Sequence, residues 1–221
     1  MKKLVYTMML SSIAILGANA HEVWLKLDDK KNEAQLFFGH FADNQKESGE
    51  KFERIKEGVT YPKDLVKEIK RNNDNITYTL SKKSDIVVVQ EGEPRKNRDT
   101  GITTKRIAYI KAGRTTTEVI TAFDIVPIEK NSNTFKLVYN NQVVKKSEIK
   151  VVSPTGWEKT FMTDDNGDFT IITPWKGSYL IQAKFEDETK GEVDGKAYDK
   201  TVHVMTYTIE NNQGLSWEIK K

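Results

Sequence analysis

The chain has 221 residues, 35 lysines and arginines against 32 aspartates and glutamates, a formal charge of +3, and no cysteine. This length supports one large or two small domains, and the near balance of charge argues against a mainly disordered chain or a nucleic-acid binder. Without cysteine there are no disulfides, no thiolate zinc site, no iron–sulfur cluster and no cysteine nucleophile.

Residues 1–20 are the first segment with a clear signature. Lys2 and Lys3 precede an uncharged run from Leu4 to Gly17, and Ala18-Asn19-Ala20 supplies small residues at −3 and −1. That is the pattern of a signal peptide cleaved after Ala20. The apolar run is shorter than the ~20 residues a membrane helix needs, and no second apolar run follows, so no membrane span is expected after cleavage. Cleavage removes two lysines and leaves the basic and acidic counts one apart. The expectation is an exported, periplasmic protein whose first residue is His21.

From there the pattern is that of strands. Residues 22–27 alternate with period two, and 34–39 read as a second strand ending at Gly39-His40-Phe41. Residues 42–57 are polar and read as a long loop. Residues 59–75 are ambiguous: Leu65 and Ile69 have helical spacing, but Pro62 and the cluster Asn72-Asn73-Asp74-Asn75 allow a hairpin into 76–80. Ile86-Val87-Val88-Val89 is a continuous apolar run of the kind buried on both faces. Residues 106–111 and 115–125 have strand composition, and 127–133 reads as a linker. Beyond it, strands near 135–139, 148–152, 157–162, 169–172, 179–185 and 201–209 are separated by turn residues at regular spacing, the signature of a β-sandwich. The predicted fold is all-β: an N-terminal β-domain over 21–128, an Ig-like antiparallel β-sandwich over 133–209 and a tail over 210–221. Trp157, Phe169, Trp175, Tyr179 and Val204 are its candidate packing residues.

Chemistry-bearing motifs are few. Asp164-Asp165-Asn166-Gly167-Asp168 resembles a calcium loop, but an EF-hand starting at Asp164 would put Phe169 at position six and Trp175 at twelve, where Gly and Glu are required. Asn166-Gly167 is better read as a tight hairpin turn. No Gly-x-Ser-x-Gly elbow, P-loop or dinucleotide fingerprint is present, so no catalytic residue is assigned.

The three histidines, His21, His40 and His203, carry the strongest signal. Cleavage after Ala20 gives His21 a free α-amine, and an N-terminal histidine can chelate a metal through that amine and its ring Nδ1. A nitrogen from a second histidine would complete a histidine brace, an all-nitrogen set suited to Cu(II) or Ni(II). His40 is the first candidate for that role and His203 the last; Glu22 or Asp43 could fill an oxygen position. Met162 and Met205 are the only methionines beyond the leader, which argues against a Cu(I) site.

Several segments resemble a family of exported bacterial proteins described as periplasmic components of nickel uptake. They are His21-Glu22-Val23-Trp24-Leu25, Phe38-Gly39-His40-Phe41 with Asp43-Asn44, Gly92-Glu93-Pro94, Phe123-Asp124-Ile125-Val126-Pro127, and Pro174-Trp175-Lys176-Gly177-Ser178-Tyr179. Thr163-Asp164-x-x-Gly167-x-Phe169 and Lys176-Gly177-x-Tyr179 are similar to marks of transthyretin-like and collagen-adhesin-B-like Ig modules. The resemblance implies a non-enzymatic accessory protein that captures or delivers nickel or cobalt beside an energy-coupling-factor transporter of the inner membrane, with His21 and His40 at the family's histidine positions. Two alternatives stand: a copper-dependent oxidase with a histidine brace, and an Ig-like binding or scaffold protein without metal.

Overall fold

The structure is a computed structural model and describes residues 21–28 and 30–217. The expected leader, 1–20, lies outside the described residues, as do 218–221. In chain order the strands are β1 (Glu22–Asp28), β2 (Glu33–His40), β3 (Gln45–Lys46), β4 (Val59–Tyr61), β5 (Val66–Arg71), β6 (Ile76–Leu80), β7 (Ile86–Glu91), β8 (Arg95–Lys96), β9 (Thr103–Ala112) and β10 (Phe123–Pro127). They continue with β11 (Thr134–Tyr139), β12 (Gln142–Val143), β13 (Glu148–Val152), β14 (Glu158–Met162), β15 (Asp168–Thr170), β16 (Gly177–Asp187), β17 (Gly191–Val193), β18 (Lys196–Tyr198) and β19 (Lys200–Asn211). Among the described residues a single short helix, α1 (Glu50–Glu53), interrupts them between β3 and β4.

The fold is all-β, as the turn spacing predicts. An eight-stranded central sheet runs β14-β13-β16-β19-β9-β7-β4, with β8 on β9. On one face a four-stranded sheet, β10-β11-β12 with β15 on β11, closes an Ig-like sandwich. Alternation along β19 sends Met205, Tyr207 and Ile209 into that core, where they meet Phe123, Ile125, Phe135, Leu137 and Phe169. On the other face stands a five-stranded sheet, β1-β2-β6-β5 with β3 on β2. Leu25, Leu36, Ile76 and Tyr78 pack there on Ile86, Val88 and Ile110. Ile86-Val87-Val88 serves both cores at once, which explains its unbroken apolar run.

The five-stranded sheet touches the central one along β1. Thr206 Oγ1 of β19 donates to Val23 O at 2.6 Å. Leu25 packs on the β7–β9 side of this contact, while Trp24 packs with Phe37, Val152 and Leu180 on the other. Both faces of β1 therefore lie against the central sheet, and the segment that follows His21 is tied down.

Several expectations are corrected. Residues 128–133 are not a domain linker: β10 and β11 pair antiparallel from Phe123↔Tyr139 to Pro127↔Phe135, and the loop between them closes with Ile128 N–H donating to Thr134 O. Strand β10, N-terminal to the expected boundary, thus belongs to the sandwich. The parallel pairing of β19 with β9, from Lys200↔Thr104 to Thr208↔Ala112, joins both halves in one sheet. The hairpin reading of 59–75 holds, since β5 and β6 pair antiparallel. Residues 115–122 form no strand. They are organised by buried Asp85, which accepts the backbone N–H groups of Thr115 and Thr116 and the Thr115 hydroxyl. Satisfying that carboxylate outcompetes the β-propensity of the threonines.

Asn166-Gly167 forms a turn, but not a hairpin between paired strands: β14 pairs with β13 and β15 with β11, so here the chain crosses from one sheet to the other. Asp164 caps it by accepting the N–H groups of Asn166 and Asp168, each at 2.8 Å, and Gly167 takes a φ of 75°. Phe169 and Tyr179 are buried as expected, whereas Trp157 is 41% exposed and Val204 only half-buried. The expected tail begins inside β19, and Leu215 N–H returns to Pro174 O.

Lys111 and Asp124 are both fully buried. Lys111 Nζ donates to Asp124 Oδ1 at 2.6 Å and to Ile125 O at 2.9 Å, and Asp124 Oδ2 accepts Ile120 N–H at 2.8 Å. The pair bolts β9 to β10, hence the central sheet to the four-stranded one. Breaking one side strands a charge in a dry core. Asp124→Ala is expected to lower unfolding free energy by about 3–5 kcal/mol in urea melts, while Asp168→Ala, at a half-exposed ion pair with Lys136, changes it by under about 1 kcal/mol.

Candidate metal centre

The register of β1 on β2 builds the site. It pairs Glu22 with Gly39 and Val23 with Phe38, so continuing one step sets His21 opposite His40. The two rings are 4.4 Å apart, centre to centre, inclined at 43°. The β2–β3 hairpin adds the third group. His40 pairs with Gln45, Gly39 with Lys46, and Glu47 N–H donates to Phe38 O at 2.8 Å. Period-two alternation then puts Phe38, His40 and Glu47 on the face that His21 shares. His21 stacks on Phe38 at 4.9 Å, and its Nε2 reaches across to Glu47 Oε1 at 2.7 Å.

Glu47 is held as an anion. Hydrogen bonds from His21 and then from Lys51 keep its carboxyl below the usual carboxylate value, and Lys51 Nζ lies 3.0 Å from Oε2. An ionised carboxylate only accepts, so His21 Nε2 carries the proton in this contact. In the neutral ring Nδ1 then keeps its lone pair. His40 has no hydrogen-bond partner among the described residues. With metal–nitrogen bonds near 2.0–2.1 Å, two imidazoles at adjacent positions of one ion have ring centres roughly 4–5 Å apart, a spacing this pair matches.

The other expected ligands are elsewhere. Glu22 points to the opposite face of the sheet, where Oε2 accepts Phe41 N–H at 3.1 Å. Burial raises its carboxyl above the ordinary value, against the lowering effect of that bond. Asp43 is exposed in the β2–β3 loop and makes no hydrogen bond or ion pair among the described residues. His203 is not in this site. Thr206 faces β1, so His203, three residues away on β19, faces the opposite side of the central sheet. Its ring lies among Tyr109, Phe123, Tyr139 and Phe185, with Nδ1 3.1 Å from the Tyr109 hydroxyl and Nε2 buried without a partner. Among the described residues no three His, Asp or Glu side chains form a ready-made metal cluster.

Glu47 was not anticipated. It falls in the polar stretch read as loop, and only a four-residue hairpin turn over Phe41–Asn44 brings it opposite Phe38. That turn is visible in Asn44 N–H donating to Phe41 O and in the φ of 51° at Asn44. Gly39 makes it possible: at its φ of 152° a Cβ would stand 2.1 Å from Gln45 O.

Two outcomes follow. Gly39→Ala is expected to open the β2–β3 hairpin and part Glu47 from His21, seen as loss of the downfield Nε2–H proton resonance of His21 while the sandwich core keeps its hydrogen-exchange protection. For His203, burial lowers the folded-state pKa, with Asp187 opposing and Lys105 assisting. The unfolded chain therefore binds the extra proton first, and stability is lost as pH falls below about 6.5. Urea midpoints of His203→Phe should fall less steeply than those of the parent across that window.

Among the described residues no helix is long and apolar enough to cross a membrane. No family model, no curated protein and no solved structure matches the chain.

Proposed function

We propose that the protein is exported, cleaved after Ala20, and binds a divalent metal ion as cargo at its new N-terminus, with nickel or cobalt as the ion and copper as the competing one. The observation that carries this reading is the hydrogen bond between His21 Nε2 and Glu47. A histidine that ligates a metal through one ring nitrogen characteristically donates the other N–H to a carboxylate, which fixes the tautomer and the ring orientation. Here the carboxylate takes Nε2 and leaves Nδ1, the nitrogen close enough to its own α-amine for a chelate.

In the processed chain the amine, His21 Nδ1 and a His40 nitrogen would supply three neutral donors. Phe38 supports the His21 ring from beneath, and Lys51 neutralises Glu47 so that it stays an acceptor. An all-nitrogen set suits Ni(II) or Cu(II) over magnesium or calcium. Protons compete for the same nitrogens, so binding weakens in acid. The role is capture, followed by delivery to an inner-membrane transporter; no side chain here is assigned to catalysis.

The test is calorimetric titration of Ni(II) into secreted protein that begins at His21. One alanine inserted before His21 keeps the imidazole and displaces the amine; His21→Ala does the reverse. Each is expected to weaken binding at least a hundredfold. Glu47→Gln, which only loosens the ring, should cost about 10–100-fold. Urea midpoints should barely move, because the first residue contributes little packing. An alanine-extended protein that binds as tightly as the parent would show that the amine is no ligand and end this reading.

A further inference from the structure

Close to the same site lies a positive charge that no acidic side chain answers among the described residues. The Arg54 guanidinium lies over the Phe38 ring, with Cζ 5.0 Å from its centre, and His21 stacks on that ring at 4.9 Å. The two distances together keep the guanidinium within about 10 Å of the imidazole, a gap that a small polycarboxylate can span. Arg54 directly follows α1, and the burial of Phe52 and Ile55 on either side anchors its backbone. It has neither a hydrogen-bond acceptor nor an ion-pair partner among the described residues.

No carboxylate of the site is left to meet it. Glu47 is shared between His21 and Lys51, and Glu22 is turned to the other face and bound to Phe41 N–H. The three donors of the proposed centre are neutral nitrogens. They leave positions of a divalent ion open and its charge uncompensated. A guanidinium beside such a centre repels a bare dication. It favours an ion that arrives with anionic ligands, because its planar fork of donors matches a carboxylate.

Resting on the metal-site reading above, we infer that the ion is taken up as its complex with a small polycarboxylate chelator, one of whose carboxylates is bound by Arg54. The nitrogens of His21 and His40 would occupy the positions the chelator leaves open. Arg54 then selects the complex over the free ion. Phe38 touches both partners: it stacks with the His21 imidazole and holds the guanidinium by a cation–π contact.

The experiment uses protein processed at His21 and two probes, Ni(II) alone and Ni(II) with citrate, first at one equivalent and then in excess. In the parent the apparent affinity for nickel should be nearly independent of excess citrate, because the complex binds whole. Arg54→Gln should bind Ni(II)–citrate about tenfold more weakly while binding Ni(II) alone at least as well as the parent. Urea melts check that this exposed substitution leaves folding intact. Equal affinity of parent and Arg54→Gln for Ni(II)–citrate overturns the inference. So does a parent affinity that falls in proportion to added citrate, which would mean that the bare ion is stripped from the chelator. His40→Ala separates the two levels. If it binds Ni(II) alone as tightly as the parent, the metal-site reading fails; if it loses Ni(II) while Arg54→Gln changes nothing, only the chelator inference fails.

Discussion

The parallel seam between β9 and β19 is the contact on which the rest of the structure depends. Nine paired positions, Lys200↔Thr104 to Thr208↔Ala112, join a strand from the first half of the chain to its last strand. A parallel pair cannot be made by a tight turn, so the chain between β9 and β19 has to serve as the crossover connection. Once closed, it turns what would be two separate sheets into one, and each face of that sheet receives its own core. The sandwich side is sealed by Tyr207, Met205 and Ile209, and the other side by Ile110 and Ala112. A sheet buried on both faces must keep its strand order, because any slip by one residue would exchange the two cores.

The seam also fixes the site. Thr206 on β19 bonds to Val23 O, and β1 is held there edge-on with Trp24 to one side and Leu25 to the other. First residues are ordinarily loose; here the residue after His21 already belongs to a paired strand. That matters for the proposed centre, which would use the amine freed by cleavage, because order supplied by the fold need not be supplied by binding. The β2–β3 hairpin and α1 then bring Glu47, Lys51 and Arg54 around a ring pair that β1 and β2 have already set. One apolar residue, Phe38, is the common floor.

Charge inside the protein is handled in two ways. Lys111 and Asp124 neutralise each other in the dry sandwich core, and Asp85 is satisfied by the N–H groups of a loop that has no other regular structure. His203 follows neither pattern, with one ring nitrogen buried and without a partner. Near the surface the arrangement differs: Glu47 is doubly bound, and the Arg54 guanidinium has no ion-pair partner among the described residues. The contrast between saturated charges that hold the fold and an unsaturated one beside the candidate site is what separates scaffold from binding surface here.

Much of this was readable in the residues alone. Period-two alternation located β1, strand composition between turn residues located β2 and β19, the run at Ile86 marked a strand buried on both faces, and the scarcity of histidine singled out His21 and His40. These are local signals, since alternation and composition act through the chain's own geometry. Other features have no local signature. Whether His203 joins His21 depends on which face of β19 is turned to β1, and a strand with both faces buried gives no hint. The roles of Glu47 and Arg54 depend on a turn and a helix of four residues, too short to impose a period on the sequence. Residues 127–133 have the composition of a linker and act as a hairpin loop, because Phe123 and Ile125 find their partners across it. The sequence by itself determined that the chain is all-β and that two of its rare histidines, His21 and His40, stand at strand ends. Only the tertiary structure decided which of them meet and which carboxylate supports them, because pairing register and sheet face are set by contacts between segments far apart in the chain.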